Sequence, residues 1–152
     1  MRITTKGRYA LRAVIYLVNN YEGKPISIRQ LSEIACLSPE FLEQIFFRLR
    51  RAGIITSTRG PGGGFNLTKD PKDVSIDDLF VAIDEGYHIA PCSSDDPDVL
   101  CERAQDCATC GFWNHTYEML RTYFSSVSIQ DVIDNNYMKL RLVNSSEGAL
   151  ST

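Results

Sequence analysis

The amino-acid sequence predicts a mainly α-helical fold with one small β-hairpin, and three observations carry that expectation. Apolar residues recur at helical spacing in successive segments of the first 51 residues. Two short β-rich stretches then flank a run of four glycines and a proline. Beyond them, a long apolar-striped helix follows a stretch with no periodicity at all, residues 86–106.

From Tyr9 onward, Ala10, Ala13, Val14, Leu17, Val18 and Tyr21 form the stripe of an amphipathic helix that Asn19, Asn20 and Gly23 bring to an end. Ser27 followed three residues later by Gln30 is a capping-box signature, opening a short helix from Ile28 to about Ala35. After a turn at Cys36-Leu37, Ser38 caps a third helix with Pro39 at its first position, where the missing N–H costs nothing. That helix runs through Glu40 to Arg51 and stops at Gly53. Residues 54–58 and 65–68, separated by Arg59-Gly60-Pro61-Gly62-Gly63-Gly64, read as a hairpin. Three helices and a hairpin, with only a brief turn between the second and third helix, form a winged helix-turn-helix.

Ser75 and Asp78 bracket a second capping box, for a short helix through Ile76, Leu79, Phe80 and Ile83. Residues 86–106 hold Pro91, Pro97 and five acidic side chains, which predicts an irregular loop. A helix resumes at about Cys107 with Trp113, Thr116, Tyr117, Leu120, Tyr123, Phe124 and Val127 on one stripe. So many aromatics exceed what one small core needs, and the expectation is a dimerisation helix, since DNA-reading motifs of this type act as symmetric pairs. Ser128 and Asp131 cap a last short helix to about Asp134. The expected organisation is a DNA-binding unit at 1–85, a cofactor loop at 86–111, dimerisation and terminal helices at 112–140 and a disordered tail at 141–152.

Charge sharpens this. The net charge is -3, yet residues 1–60 carry 10 Lys and Arg against 4 Asp and Glu, leaving the remainder at 6 against 15. A basic working surface with an acidic module attached is the implied design. Arg48, Arg50 and Arg51 end the third helix and Arg59 and Gly60 sit at the hairpin tip, where a recognition helix and its wing would meet phosphates. The start of that helix, with Ser38, Glu40, Phe41, Glu43 and Gln44, would face base edges in the major groove of double-stranded DNA, and Arg59 the flanking minor groove. Glu43 is the expected specificity residue, because a carboxylate beside phosphates needs a donor and cytosine N4 supplies one. With 43% apolar and 23% charged residues the chain is globular, and no stretch reaches the ~18 apolar residues of a membrane helix, so a cytoplasmic protein is expected. Two histidines, no nucleophile beside a base and no complete nucleotide fingerprint argue against an enzyme.

Of the five cysteines, Cys36 stands alone and reads as a small buried hydrophobe. Cys92, Cys101, Cys107 and Cys110 fall within 19 residues. In a reducing compartment this spacing admits an iron-sulfur cluster, a zinc site with only one tight knuckle, or a thiol-disulfide switch.

The opening Met1-Arg2-Ile3-Thr4-Thr5-Lys6-Gly7-Arg8-Tyr9-Ala10, the segment Leu42-Glu43-Gln44-Ile45-Phe46 with Arg48-Leu49-Arg50, the wing Arg59 to Phe65 and the late cysteines resemble the IscR-like iron-sulfur regulators of bacteria over residues 1–140. The resemblance implies a dimeric winged-helix transcription factor on a palindromic operator, with a cluster of the 2Fe-2S type held by Cys92, Cys101, Cys107 and a fourth ligand. The founding type has histidine three residues after the third cysteine; here Cys110 stands there and is the expected fourth ligand. Other branches draw a carboxylate from the first helix, where this chain has Arg8 and Arg12. His115 and His88 are weaker candidates.

Overall fold

The computed structural model describes residues 3–87, 89–93 and 101–137. The expected tail, 141–152, and His88 lie outside the described residues. Helices α1 (Thr5–Asn19), α2 (Ile28–Ala35) and α3 (Pro39–Arg51) are followed by strands β1 (Ile55–Thr58) and β2 (Gly64–Leu67). Then come α4 (Ile76–Ala82), α5 (Cys110–Ser126) and α6 (Ile129–Ile133), with single 3-10 turns at Pro71–Asp73 and Pro91–Ser93.

Local chemistry sets most of these ends. Ser27 accepts from the Gln30 backbone N–H while the Gln30 side chain accepts from Ser27 N–H, a reciprocal cap repeated at Ser75/Asp78 and Ser128/Asp131. Ser38 caps α3 by accepting from Phe41 N–H. Helix α1 begins before the Tyr9 stripe because Thr4 caps it, accepting from Gly7 N–H.

Cys36 is exposed, contrary to the expectation of burial. It is the C-cap of α2 with φ +51°, a left-handed conformation at the helix end, and the next residue, Leu37, enters the core in its place.

Ala10, Ala13, Val14 and Leu17 of α1 are fully buried against α2, α3 and the hairpin, and α3 contributes Leu42, Ile45, Phe46 and Leu49 to the same core. The strands pair antiparallel from Ile55↔Leu67 to Thr58↔Gly64. Ile26 adds a bridge to Phe65, with N–H···O bonds of 3.0 and 2.8 Å, so the wing is stitched to the segment before α2. A Cβ at Gly64 would lie 2.4 Å from the Ile26 backbone, which is why glycine stands there. Helix α4 closes the core with Ile76, Leu79 and Phe80. On its outer side Phe80 and Tyr87 stack edge-on with Phe124 of α5, and the chain after α5 returns to bond residues 74–76 through Ile76 N–H to Val127 O and Ile129 N–H to Val74 O, both 2.9 Å.

Candidate nucleic-acid interface and cysteine site

Along α3, at 100° per residue, the buried positions 42, 45, 46 and 49 leave the opposite face to Glu40, Glu43, Gln44, Phe47 and Arg51, all exposed. Arg48 and Arg50 flank that stripe on either side. A groove of about 930 Å³ runs beside it, with Glu43, Gln44, Phe47, Arg48 and Arg51 on the α3 wall and Val81 and Ala82 of α4 opposite. Ser38 is exposed, its hydroxyl engaged in the cap at 3.2 Å from Phe41 N. Phe41 is half-buried and packs edge-on against Tyr9, ring centroids 5.7 Å apart, so its ring seats the helix. Arg50 Nη1 lies 3.4 Å from the Ser57 hydroxyl, and Arg48 Nη1 3.4 Å from the Ile83 carbonyl and 3.7 Å from Asp84. Arg51 is exposed on the open stripe, and Arg59 and Gly60 on the hairpin turn.

The glycines of that turn divide into two kinds. Gly60 and Gly62 have φ +98° and +77° with open space around them. Gly63 and Gly64 serve the fold instead, since a Cβ at Gly63 would meet Thr58 O at 2.3 Å. Phe47, 58% exposed at the centre of the stripe, is the residue that reading for charge misses. Counting three and four residues on from Gln44 and Glu43 finds it. An exposed phenyl among polar and basic side chains is suited to a thymine methyl group.

The clustered cysteines are all partly exposed and none is in a disulfide. The 3-10 turn carrying Cys92 packs on α5, where the Cys92 thiol neighbours Cys110 and lies in the field of Cys101. Partial desolvation and those two neighbours, Cys110 foremost, push the Cys92 thiol up from its ordinary value. Cys107 turns elsewhere. Its sulfur sits 3.2 Å from the Thr109 hydroxyl, which together with the backbone N–H groups of Thr109 and Cys110 holds its pKa below the ordinary thiol range. Helix α5 starts at Cys110, not Cys107: Thr109 makes no side-chain cap, and the Cys110 N–H donates to the Cys107 carbonyl at 3.1 Å.

Among the described residues no three His, Cys, Asp or Glu side chains converge on a point that could hold one metal ion. The Cys92 and Cys110 sulfurs are neighbours at the start of α5, Cys101 acts on Cys92 through its field, and Cys107, three residues before Cys110, is biased toward thiolate. The donor chemistry, four accessible thiols beside an uncapped helix N-terminus, fits a thiolate-ligated iron-sulfur group. His115 is exposed on α5. Arg8 is exposed, and Arg12 lies 4.6 Å over the Tyr9 ring, so neither replaces a sulfur as ligand.

A family model described as Rrf2, iron-dependent transcriptional regulator, matches residues 3–135. The chain is 33% identical over 135 residues to the HTH-type transcriptional regulator IscR of Klebsiella pneumoniae (strain 342), an alignment covering 89% of this chain and 81% of that protein. Among solved structures, CymR (YrzC), the global cysteine regulator of B. subtilis, is similar with a TM-score of 0.70 at 26% identity, over 89% of this chain and 98% of that one. IscR of T. potens shares the fold at 22% identity, with a TM-score of 0.69 over 97% and 94% of the two chains.

Proposed function

The chain belongs to the Rrf2 family of DNA-binding transcriptional regulators and is not an enzyme, and from that premise we propose that it is a cytoplasmic homodimer whose hold on a palindromic operator is modulated by a 2Fe-2S cluster. The cluster's ligands are Cys92, Cys101, Cys107 and Cys110. The observation that supports this reading best is the closeness of the Cys92 and Cys110 thiols at the start of α5, with Cys101 near enough to act on Cys92 and Cys107 biased toward thiolate. When bound, the cluster supplies a redox-variable charge at that helix end. The organisation that follows is DNA reading by residues 1–85, cofactor binding by 86–111 and dimerisation by 112–140.

On the DNA side, Glu40, Glu43, Gln44 and Phe47 face base edges, Arg48, Arg50 and Arg51 face phosphates, and Arg59 with Gly60 enters the minor groove. Phe112, Trp113 and Met119 of α5 are 62%, 36% and 51% exposed, and a second copy of the chain covers them. Among the described residues no helix is long and apolar enough to cross a membrane.

A thiol-based reading also has an observation behind it, the closeness of the Cys92 and Cys110 thiols, and a structural neighbour, the cysteine regulator CymR. Absorbance of the purified protein between roughly 300 and 600 nm, with iron and sulfide assays, separates the two. A coloured protein with stoichiometric iron and sulfide is the expected result; a colourless protein that forms a Cys92–Cys110 disulfide supports the thiol reading.

A further inference from the structure

Glu85 is one of two buried polar residues among the described residues, and its side chain is fully enclosed, 0% exposed. A buried carboxylate is costly unless donors meet its oxygens. Here all of them come from the start of α1. The Thr4 backbone N–H lies 2.6 Å from Oε1, the Thr4 hydroxyl donates to Oε2 at 2.7 Å, and the Lys6 ammonium stands 4.0 Å away. Lys6 also donates to the Asp84 carbonyl at 2.5 Å. Gly7 makes the room, since a Cβ there would come within 2.8 Å of the Glu85 side chain.

Two further contacts connect this corner, residues 83–85, to both ends of α3. Tyr9, one turn along α1 from Thr4, packs on Phe41 in the first turn of α3. Arg48, in the last turns of α3, reaches the Ile83 carbonyl and Asp84 from the other side. The Arg48–Asp84 pair is exposed and weak, so the buried Glu85–Thr4 bonds dominate. Directly after the corner the chain passes Tyr87, whose hydroxyl donates to Asp77, and runs on to Cys92.

We propose that Glu85 is a positioning residue for DNA recognition: by fixing where α1 starts, and so where Tyr9 meets Phe41, it sets the placement of α3. The inference rests on α3 meeting DNA and not on the cofactor. Neither Glu85 nor Thr4 touches DNA in it.

The test is Glu85→Gln in the full chain, measured well below its unfolding midpoint. The probes are a palindromic duplex selected by the wild type from a randomised pool and a scrambled duplex of equal length. The expected result is a loss of about tenfold on the selected duplex, the effect of one hydrogen bond to a charged group, with unchanged binding to the scrambled one. Amide exchange across residues 5–10 should also accelerate. An unchanged selected-to-scrambled ratio, with only a lower unfolding midpoint, overturns the proposal, and so does an equal loss on both duplexes. If Glu85→Gln does not fold, Thr4→Val removes the hydroxyl donor alone and is read by the same ratio. Gln44→Ala is the separate control. If it leaves the selected duplex fully bound, the fault lies with α3 as the reading helix and not with Glu85.

Discussion

Helices α2 and α3 each begin at a serine whose hydroxyl accepts a backbone N–H three residues on, whereas α5 begins at Thr109, whose side chain accepts none. In the first region the polypeptide satisfies its own helix ends and packs a continuous core from Ala10 to Ile55. In the second, the N–H groups at the helix start face a cysteine sulfur, and the thiols around it are partly exposed. The contrast teaches where each kind of information resides. The winged-helix region satisfies its helix ends from its own side chains, and the start of α5 does not, leaving its neighbouring thiols open to chemistry.

The largest expected effect breaks the second region without harming the first. Cys92→Ala, Cys101→Ala or Cys107→Ala should each give protein without visible absorbance and with little iron, because removing one thiolate opens the cluster to exchange. Their unfolding midpoints without the cluster should match that of cluster-free wild type, since all three side chains lie outside the core. Cys36→Ala should stay coloured, as Cys36 sits far off at the end of α2. An iron-replete Cys101→Ala protein with an unaltered spectrum would remove Cys101 from the ligand set.

Salt tests the first region alone. If each protomer neutralises about four phosphates, log K against log salt should fall with a slope near -7 for a dimer, some four orders of magnitude between ~50 and ~200 mM. The acidic net charge of -3 predicts nothing of the kind; the basic face of residues 1–60 does. A slope shallower than about -2 would mean that those arginines stay engaged inside the protein, as Arg48 is with Ile83 and Arg50 with Ser57.

Which parts of this were legible follows from the range of the interactions. The extents of α2 and α3, the hairpin and the three reciprocal caps could be read directly, because each is set by residues within a few positions of one another. The Thr4 cap and its partner Glu85 could not, since they are 81 positions apart and no local pattern joins them. The exposed Cys36 was misread because composition speaks for burial while the left-handed helix end decides the direction of its side chain. For the cysteines, spacing named the four candidates; that Cys92 lies beside Cys110 while Cys107 turns to Thr109 depends on tertiary packing that no local pattern states.

The glycines of the wing separate fold from recognition within the first region. Gly64→Ala should lower stability by about 3 kcal/mol, combining the overpacking of a Cβ 2.4 Å from the Ile26 backbone with the loss of hydrogen bonds across the Ile26–Phe65 bridge. Gly60→Ala meets no atom and should cost only about 1 to 2 kcal/mol, the penalty of a left-handed residue with a side chain. Urea unfolding of both variants measures the difference. Equal costs would show that the bridge to Ile26 contributes little to holding the wing.

The smallest effect concerns which DNA is chosen rather than whether DNA is bound, and Glu43 is where it should appear. Glu43 is exposed on the open face of α3, beside Gln44 and Phe47 and two turns from Arg51. A carboxylate so placed is tolerated in free protein by water, but against DNA it enters the field of the phosphates and loses that hydration. Cytosine N4 in the major groove is the donor that can replace the water, so a site without a suitably placed cytosine leaves a desolvated charge unpaired, at a cost of about 1 to 3 kcal/mol in each half-site. Glu43→Ala removes the demand along with the contact. It should therefore bind sites with and without that cytosine nearly equally while keeping most of the wild-type affinity for the best site. Palindromes in which the cytosines are changed one pair at a time, titrated with wild type and variant, measure this directly. If the variant keeps the full wild-type preference at every position, Glu43 faces solvent in the complex, and base choice falls to Gln44 and Phe47.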